Sequence, residues 1–293
     1  MSLPLHDPAW LERMYNNRAL VPDHMAYLQR WADDSARVRT SHPCVLDVAY
    51  GTGTGEALDI FPSARASDDG VPVLVFVHGG YWRSLDKSDH SFIAPSFTQA
   101  GFCVVVVNYA LCPGTPEAPV TIPHIVRQME KALEWVWRHI ASHGGDPRRI
   151  TVAGHSAGGQ LAAMLLTGVW PLVGQGLPDG LVRNALSISG IHDLEPIMHT
   201  PMYQSVLNLT EQQVLQCSPA RLLEPPAGTL YCVVGADEST EFLRQNQLMQ
   251  DAWGSHFVPR SQALPGLHHF SIVDCLARPG HDLHHMAQNL LRA

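Results

Sequence analysis

The chain is short of charge, and shortest of positive charge. Charged residues make up 16% of its 293 positions, and 27 Asp and Glu outweigh 19 Lys and Arg to leave a net charge of −8. A nucleic-acid reader needs a basic stripe to meet the phosphates, and none is present. The same deficit disfavours an anionic membrane surface. No hydrophobic run reaches the roughly 18 residues that a membrane span requires; the longest lies near "GFCVVVVNYALC". The opening "MSLPLHDPAW" lacks a basic segment followed by an apolar one, so no secretory signal is expected there. Cys44, Cys103, Cys112, Cys217, Cys232 and Cys275 show no CxxC spacing. That argues against a disulfide framework or a zinc site, and for reduced thiols in a cytoplasmic protein. Long linkers, low-complexity tracts and internal repeats are also missing.

What is present is an ordinary globular balance, 45% hydrophobic, in a length that suits residues 1–293 as one large domain. Asp7 as N-cap and Pro8 at the first helical position start a helical extension over 7–34, expected to lie outside the main core. "VLDVAYG" and "EALDIFP" flank "GTGTG" and read as a hairpin. "VPVLVFVHGG" and "GFCVVVVNYA" are continuous β-branched runs, the pattern of strands buried on both faces of a parallel sheet. A helix with apolar residues at Ile125, Met129, Leu133, Val136 and Ile140 follows, ended by Gly144 and Gly145. Strands at "RITVAG", "NALSISG", "GTLYCVVG" and near "HFVPRSQAL" then alternate with helices from about Ala157 and Thr240 and a final helix. The alternation predicts an α/β fold: a mostly parallel central sheet with helices on both faces. Residues from about 191 to 226, with Pro196, Pro201, Pro219, Pro225 and Pro226, read as a small cap-like insertion over the sheet's carboxyl edge.

The strongest chemical signal is Gly154-His155-Ser156-Ala157-Gly158 in "ITVAGHSAGG", a G-x-S-x-G directly after a strand and before a helix. The turn must be tight to lift a serine hydroxyl clear of the sheet, so its neighbours must be small. A serine hydroxyl is a weak nucleophile without a base, and the base needs an orienting acid. On this strand-turn-helix scaffold the partners follow in the order serine, acid, histidine. "VVGADESTEF" supplies Asp237 or Glu238, and "GLHHF" supplies the histidine. "VFVHGGYWRS" supplies an oxyanion hole: Gly80 and Tyr81 amides beside glycines that allow close approach, together with the Ala157 amide at the helix start. His78 reads as a structural hydrogen-bonder in that loop.

The combination "HGGYW", "GHSAGG", "DESTEF" and "HHF" resembles the kynurenine formamidase (arylformamidase) group of α/β-hydrolases. Related hormone-sensitive-lipase-like esterases carry HGGG where this chain has His78-Gly79-Gly80-Tyr81. The resemblance extends to "YNNRALVPD" and to "LDVAYG…LDIFP", and so covers most of the chain. It implies the α/β-hydrolase fold and a serine acyl-enzyme mechanism on a small ester or amide, with N-formylkynurenine as the leading substrate. It places the base at His269, before Phe270, and leaves His268 to pack locally. It places the acid at Glu238, before Ser239-Thr240-Glu241-Phe242; Asp237, two residues past Gly235, is the choice of the general hydrolase pattern and stays open. Alternatives are a general short-acyl carboxylesterase and a non-catalytic ligand receptor on the same fold.

Other signals are weaker. "GTGTG" lacks the G-x-G-x-x-G order and a following helix, so it reads as a turn and not as a phosphate loop. His281 and His285 stand four apart without a third ligand, so no metal is expected, and no cofactor is implied. Trp82, Tyr203 and Phe270 are candidates to line a substrate pocket. "SLDKSDH" reads as a solvated loop. The expected partner is a small molecule, with oligomeric state open and a homodimer among the options.

Overall fold

The structure is a computed structural model that describes residues 7–65, 67 and 69–293. Eight strands form one sheet: β1 (Val45–Ala49), β2 (Ala57–Phe61), β3 (Val71–Val77), β4 (Cys103–Val107), β5 (Gly145–His155), β6 (Val182–Ile188), β7 (Thr229–Gly235) and β8 (Arg260–Leu264). Their spatial order is β1-β2-β4-β3-β5-β6-β7-β8. β1 pairs antiparallel with β2, and β2 with β4, while every pair from β4 to β8 is parallel. The mostly parallel α/β-hydrolase sheet expected from the sequence is present.

The apolar runs are buried on both faces because successive side chains point to opposite sides of a strand. Val73, Val75 and Val77 of β3 join one core, with Ile125, Met129 and Leu133 of the helix Ile122–His139. Leu74 and Phe76 join the other, with Phe97, Ile272 and Leu283. Thr121 caps the helix Ile122–His139, its hydroxyl accepting from the His124 amide. Among the described residues, no helix is long and apolar enough to cross a membrane.

β3 is flanked by β4 on one side and β5 on the other, so the chain's winding reverses there. In an open α/β sheet the crevice at such a reversal, beyond the carboxyl ends of the strands, receives ligands. The loop after β3 and the turn after β5 meet at this crevice.

Two expectations need correction. The N-terminal segment is helical, as Pro8–Tyr15, Asn17–Leu20 and His24–Ser41, but it is not outside the core. Leu11 and Tyr15 are buried in one core and Trp31 in the other. Trp31 Nε1 donates to Asp274 Oδ1 at 2.6 Å, and the Tyr15 hydroxyl donates to Glu241. The "SLDKSDH" stretch is not a solvated loop either. It forms short 3₁₀ turns in which Ser91 is buried and Lys87 Nζ donates to Asp47 and to buried Asp59, both at 2.7 Å. A buried cation needs such partners, and both arrive from the β1–β2 hairpin.

Candidate active site

β5 ends at His155, and the chain turns at Ser156 into the helix Ala157–Leu166. Ser156 takes φ 56° and ψ −118°, a conformation that costs an L-residue free energy and is held by its surroundings. The Ser156 amide donates to Ile188 O at 2.8 Å, tying the turn to β6. The small residues of the motif are required by contact. A Cβ on Gly154 would sit 2.0 Å from Gly158 O, and one on Gly158 would sit 2.1 Å from Val77 O. Gly158→Ala therefore forces backbone against backbone, and we expect a loss of about 3 kcal/mol of stability. Gly180→Ala meets nothing within 4 Å and should stay within about 0.5 kcal/mol. Denaturant midpoints of the two variants check this; equal midpoints would refute the packing argument.

The Ser156 Oγ is buried and hydrogen-bonds to no described residue. Gly80 and Tyr81, from the loop after β3, line the same cavity. This loop has its carbonyls occupied. Tyr109 OH donates to His78 O at 2.9 Å and to Gly79 O at 3.1 Å, and Gly80 O accepts from Ser84 Oγ at 3.0 Å. His78 donates from Nδ1 to Gly79 O at 2.8 Å and stacks on Tyr109, the structural role expected of it. The amides of Gly80, Tyr81 and Ala157 find no acceptor among the described residues. Gly80 needs its glycine: φ is +99°, and a Cβ would lie 2.1 Å from Ser84 O.

His269 and Glu238 come together. His269 Nδ1 lies 2.6 Å from Glu238 Oε2, with the Glu238 side chain fully buried. Glu238 Oε1 accepts from the Gly235 amide at 2.9 Å and from the Ser189 hydroxyl. A carboxylate with these donors is fixed in orientation and leaves one oxygen for the imidazole. Asp237, the alternative acid, is exposed; its backbone amide bonds Leu267 O. His268 packs edge-on against Tyr27, and its Nδ1 accepts from the Phe270 and Ser271 amides, so it faces away from this pair.

His155 and Ser189 escaped the sequence reading. His155 Nε2 lies 2.8 Å from the His269 carbonyl oxygen, which can only accept, so Nε2 carries the proton. Burial, then the nearby His269 and His90, hold the His155 pKa well below the ordinary value and keep the ring neutral. His155 thereby anchors the backbone that presents His269. Ser189, at φ 52°, turns its hydroxyl onto Glu238. A histidine inside G-x-S-x-G was a visible signal for the first; nothing local marks the second.

Ser156, His155 and His269 open on a cavity of about 110 Å³. Tyr203 and Phe270 line it, and Tyr81 stacks on Tyr203 with centroids 4.2 Å apart. Trp82 does not line it: its ring is fully buried, with Nε1 donating to Gln160 Oε1 at 3.1 Å. Ala157 is buried behind Ser156 as the first helical residue. Asn16, Asn17, Leu28 and Trp31 from the N-terminal segment, with Met202 and Tyr203 from the helix Pro201–Leu207, form the rest of the wall. This part of the wall is thus shared between two segments far apart in sequence. Chemically, a hydroxyl, an imidazole with a fixed carboxylate, and free amides converge on one small space.

The chain is similar to several known proteins. The family model BD-FAE matches residues 58–170. Kynurenine formamidase of Danio rerio is 30% identical over 257 residues, 86% of this chain and 83% of that protein. Kynurenine formamidase of Salmo salar is 29% identical over 290 residues, 97% of this chain and 92% of that protein. A solved structure of a candidate thioesterase from Silicibacter sp. TM1040 superposes with a TM-score of 0.81 at 29% identity, covering 97% of this chain and 99% of that one.

Proposed function

This chain belongs to the kynurenine formamidase family, hydrolases of the esterase and amidase type, and on that premise we propose that it is a serine hydrolase that deformylates N-formyl aromatic amides such as N-formylkynurenine. In this reading Ser156 Oγ attacks the formyl carbon while His269 Nε2 takes its proton. The tetrahedral oxyanion settles on the amides of Gly80, Tyr81 and Ala157, which await an acceptor. His269, held by Glu238, returns the proton to the leaving aniline nitrogen as the carbon–nitrogen bond breaks. Water then attacks the formyl-serine ester, again through His269, and formate leaves with Ser156 restored.

One observation carries the reading. The imidazole that lines the same cavity as the Ser156 hydroxyl has its Nδ1 bound to a buried carboxylate that is itself fixed by two donors. A buried carboxylate so oriented stabilises an imidazolium, which a merely structural histidine does not need. Short-acyl carboxylester hydrolysis uses the same groups. The likeness to a candidate thioesterase keeps it as the second reading.

The test is covalent labelling followed by kinetics. A fluorophosphonate should attach to the peptide that holds Ser156, and N-formylkynurenine should turn over with a higher kcat/KM than p-nitrophenyl acetate or butyrate. The reverse order of substrates would select the esterase. Folded protein that takes no label at Ser156 would support a ligand receptor instead.

A further inference from the structure

The cavity wall carries two guanidinium groups that the reaction above does not use. Arg18 belongs to the short helix Asn17–Leu20, and Arg83 to the loop that also holds Gly80 and Tyr81. Neither guanidinium makes an ion pair or a hydrogen bond with another described residue, and the only hydrogen bond from Arg83 is its backbone amide to Gly80 O. Two other arginines are held by carboxylates instead: Arg221 engages Asp193 and Glu195, and Arg244 engages Glu241. Both cations are near Tyr203. Arg83 Cζ lies 5.7 Å from its ring centroid, and the charges acting on its hydroxyl are Arg83, then Arg18, opposed by Glu12. Among the described residues, no acidic one lines the cavity. In a chain of net charge −8, two unpaired cations therefore face a small, largely apolar and aromatic space that also opens on Ser156.

We propose that Arg18 and Arg83 form an anion-recognition subsite, so that the preferred substrates carry a carboxylate on the group released. The proposal rests on the hydrolase reading above. A formyl group has no substituent, so the charge of such a substrate can lie only on its amine portion. Guanidinium is suited to the task, because its planar donors match the two oxygens of a carboxylate. Stacking of Tyr81 on Tyr203, with Arg83 against Tyr203, pre-orients one of the two cations. Arg18 is exposed, so it supplies attraction at longer range, weakened by salt.

The experiment compares two matched pairs on the intact protein: N-formylkynurenine against its carboxamide, and 4-acetoxybenzoate against 4-acetoxybenzamide. For each pair the ratio of kcat/KM, carboxylate over carboxamide, is measured for the wild type, Arg18→Gln, Arg83→Gln and the double variant. The change of the ratio on substitution cancels the intrinsic reactivity of the two members. A charge-assisted contact is worth about tenfold. Arg83→Gln should lower the ratio by about that factor, Arg18→Gln by less, and the double variant by more than either. Raising salt should lower the wild-type ratio and leave that of the double variant flat. A ratio unchanged in the double variant overturns the subsite. If only the ester pair turns over, the formamidase reading fails and the ester ratio still decides the subsite. Thermal unfolding of the variants, expected to match the wild type, separates a lost contact from a damaged fold.

Discussion

Ser156→Ala should leave the protein folded and lower kcat by roughly 10³-fold or more. The hydroxyl makes no hydrogen bond with any described residue, so its removal breaks none. Alanine keeps the Cβ and meets the same positive φ that serine already tolerates, so the turn loses little stability. What disappears is the atom that forms the acyl-enzyme in the proposed mechanism. The free amides of Gly80, Tyr81 and Ala157 remain, so water attack on a bound substrate can still be faster than in solution. This residual rate sets a floor to the loss. Turnover of N-formylkynurenine and p-nitrophenyl acetate, measured beside a denaturant titration, checks both halves. Near-normal turnover in a folded alanine variant would end the serine mechanism.

The parts of this site legible in the sequence are those that local chemistry determines. β3 and β4 show as unbroken apolar runs because both faces are covered, and the Ser156 turn shows because its glycines would clash as anything larger. The parts that were not legible depend on partners far along the chain. The helix His24–Ser41 could be read as a helix, but Trp31 is drawn inside by Asp274, 243 residues away. Lys87 reads as solvated charge because Asp47 and Asp59 lie 40 and 28 residues upstream. Trp82 adjoins Tyr81 in sequence, yet neighbouring side chains diverge: one ring packs on Tyr203 and the other on Gln160. Ser189 carries no local mark at all, since its value lies in a hydrogen bond to a residue 49 positions on.

The acid is the sharpest instance, because Asp237 and Glu238 are adjacent and chemically alike. Geometry separates them. Glu238 reaches His269 Nδ1 at 2.6 Å from a fully buried position, while the Asp237 side chain is exposed and bonds to no described residue. Glu238→Gln should therefore be severe, and the reason can be followed proton by proton. Glu238 Oε1 receives two donors, the Gly235 amide and the Ser189 hydroxyl. An amide NH₂ at that place would set donor against donor, and the Gly235 N–H cannot turn away. The glutamine must put its oxygen there and its NH₂ towards His269. Nδ1 then has to accept, so the ring's proton moves to Nε2, the nitrogen that the proposed mechanism needs free to take the serine proton. An imidazole in that tautomer cannot take the serine proton, and the charge that stabilised the imidazolium is gone as well. The equivalent change in a well-studied triad costs on the order of 10⁴ in kcat. His269→Ala removes the base outright and should be of similar severity, whereas Asp237→Asn should stay within about twofold of wild type. Kinetics of the three variants, with thermal unfolding to show that each is folded, decide the assignment. A dead Asp237→Asn beside an active Glu238→Gln would move the acid by one residue and leave Ser156 and His269 in place. An active His269→Ala would remove the proton carrier, and with it the mechanism.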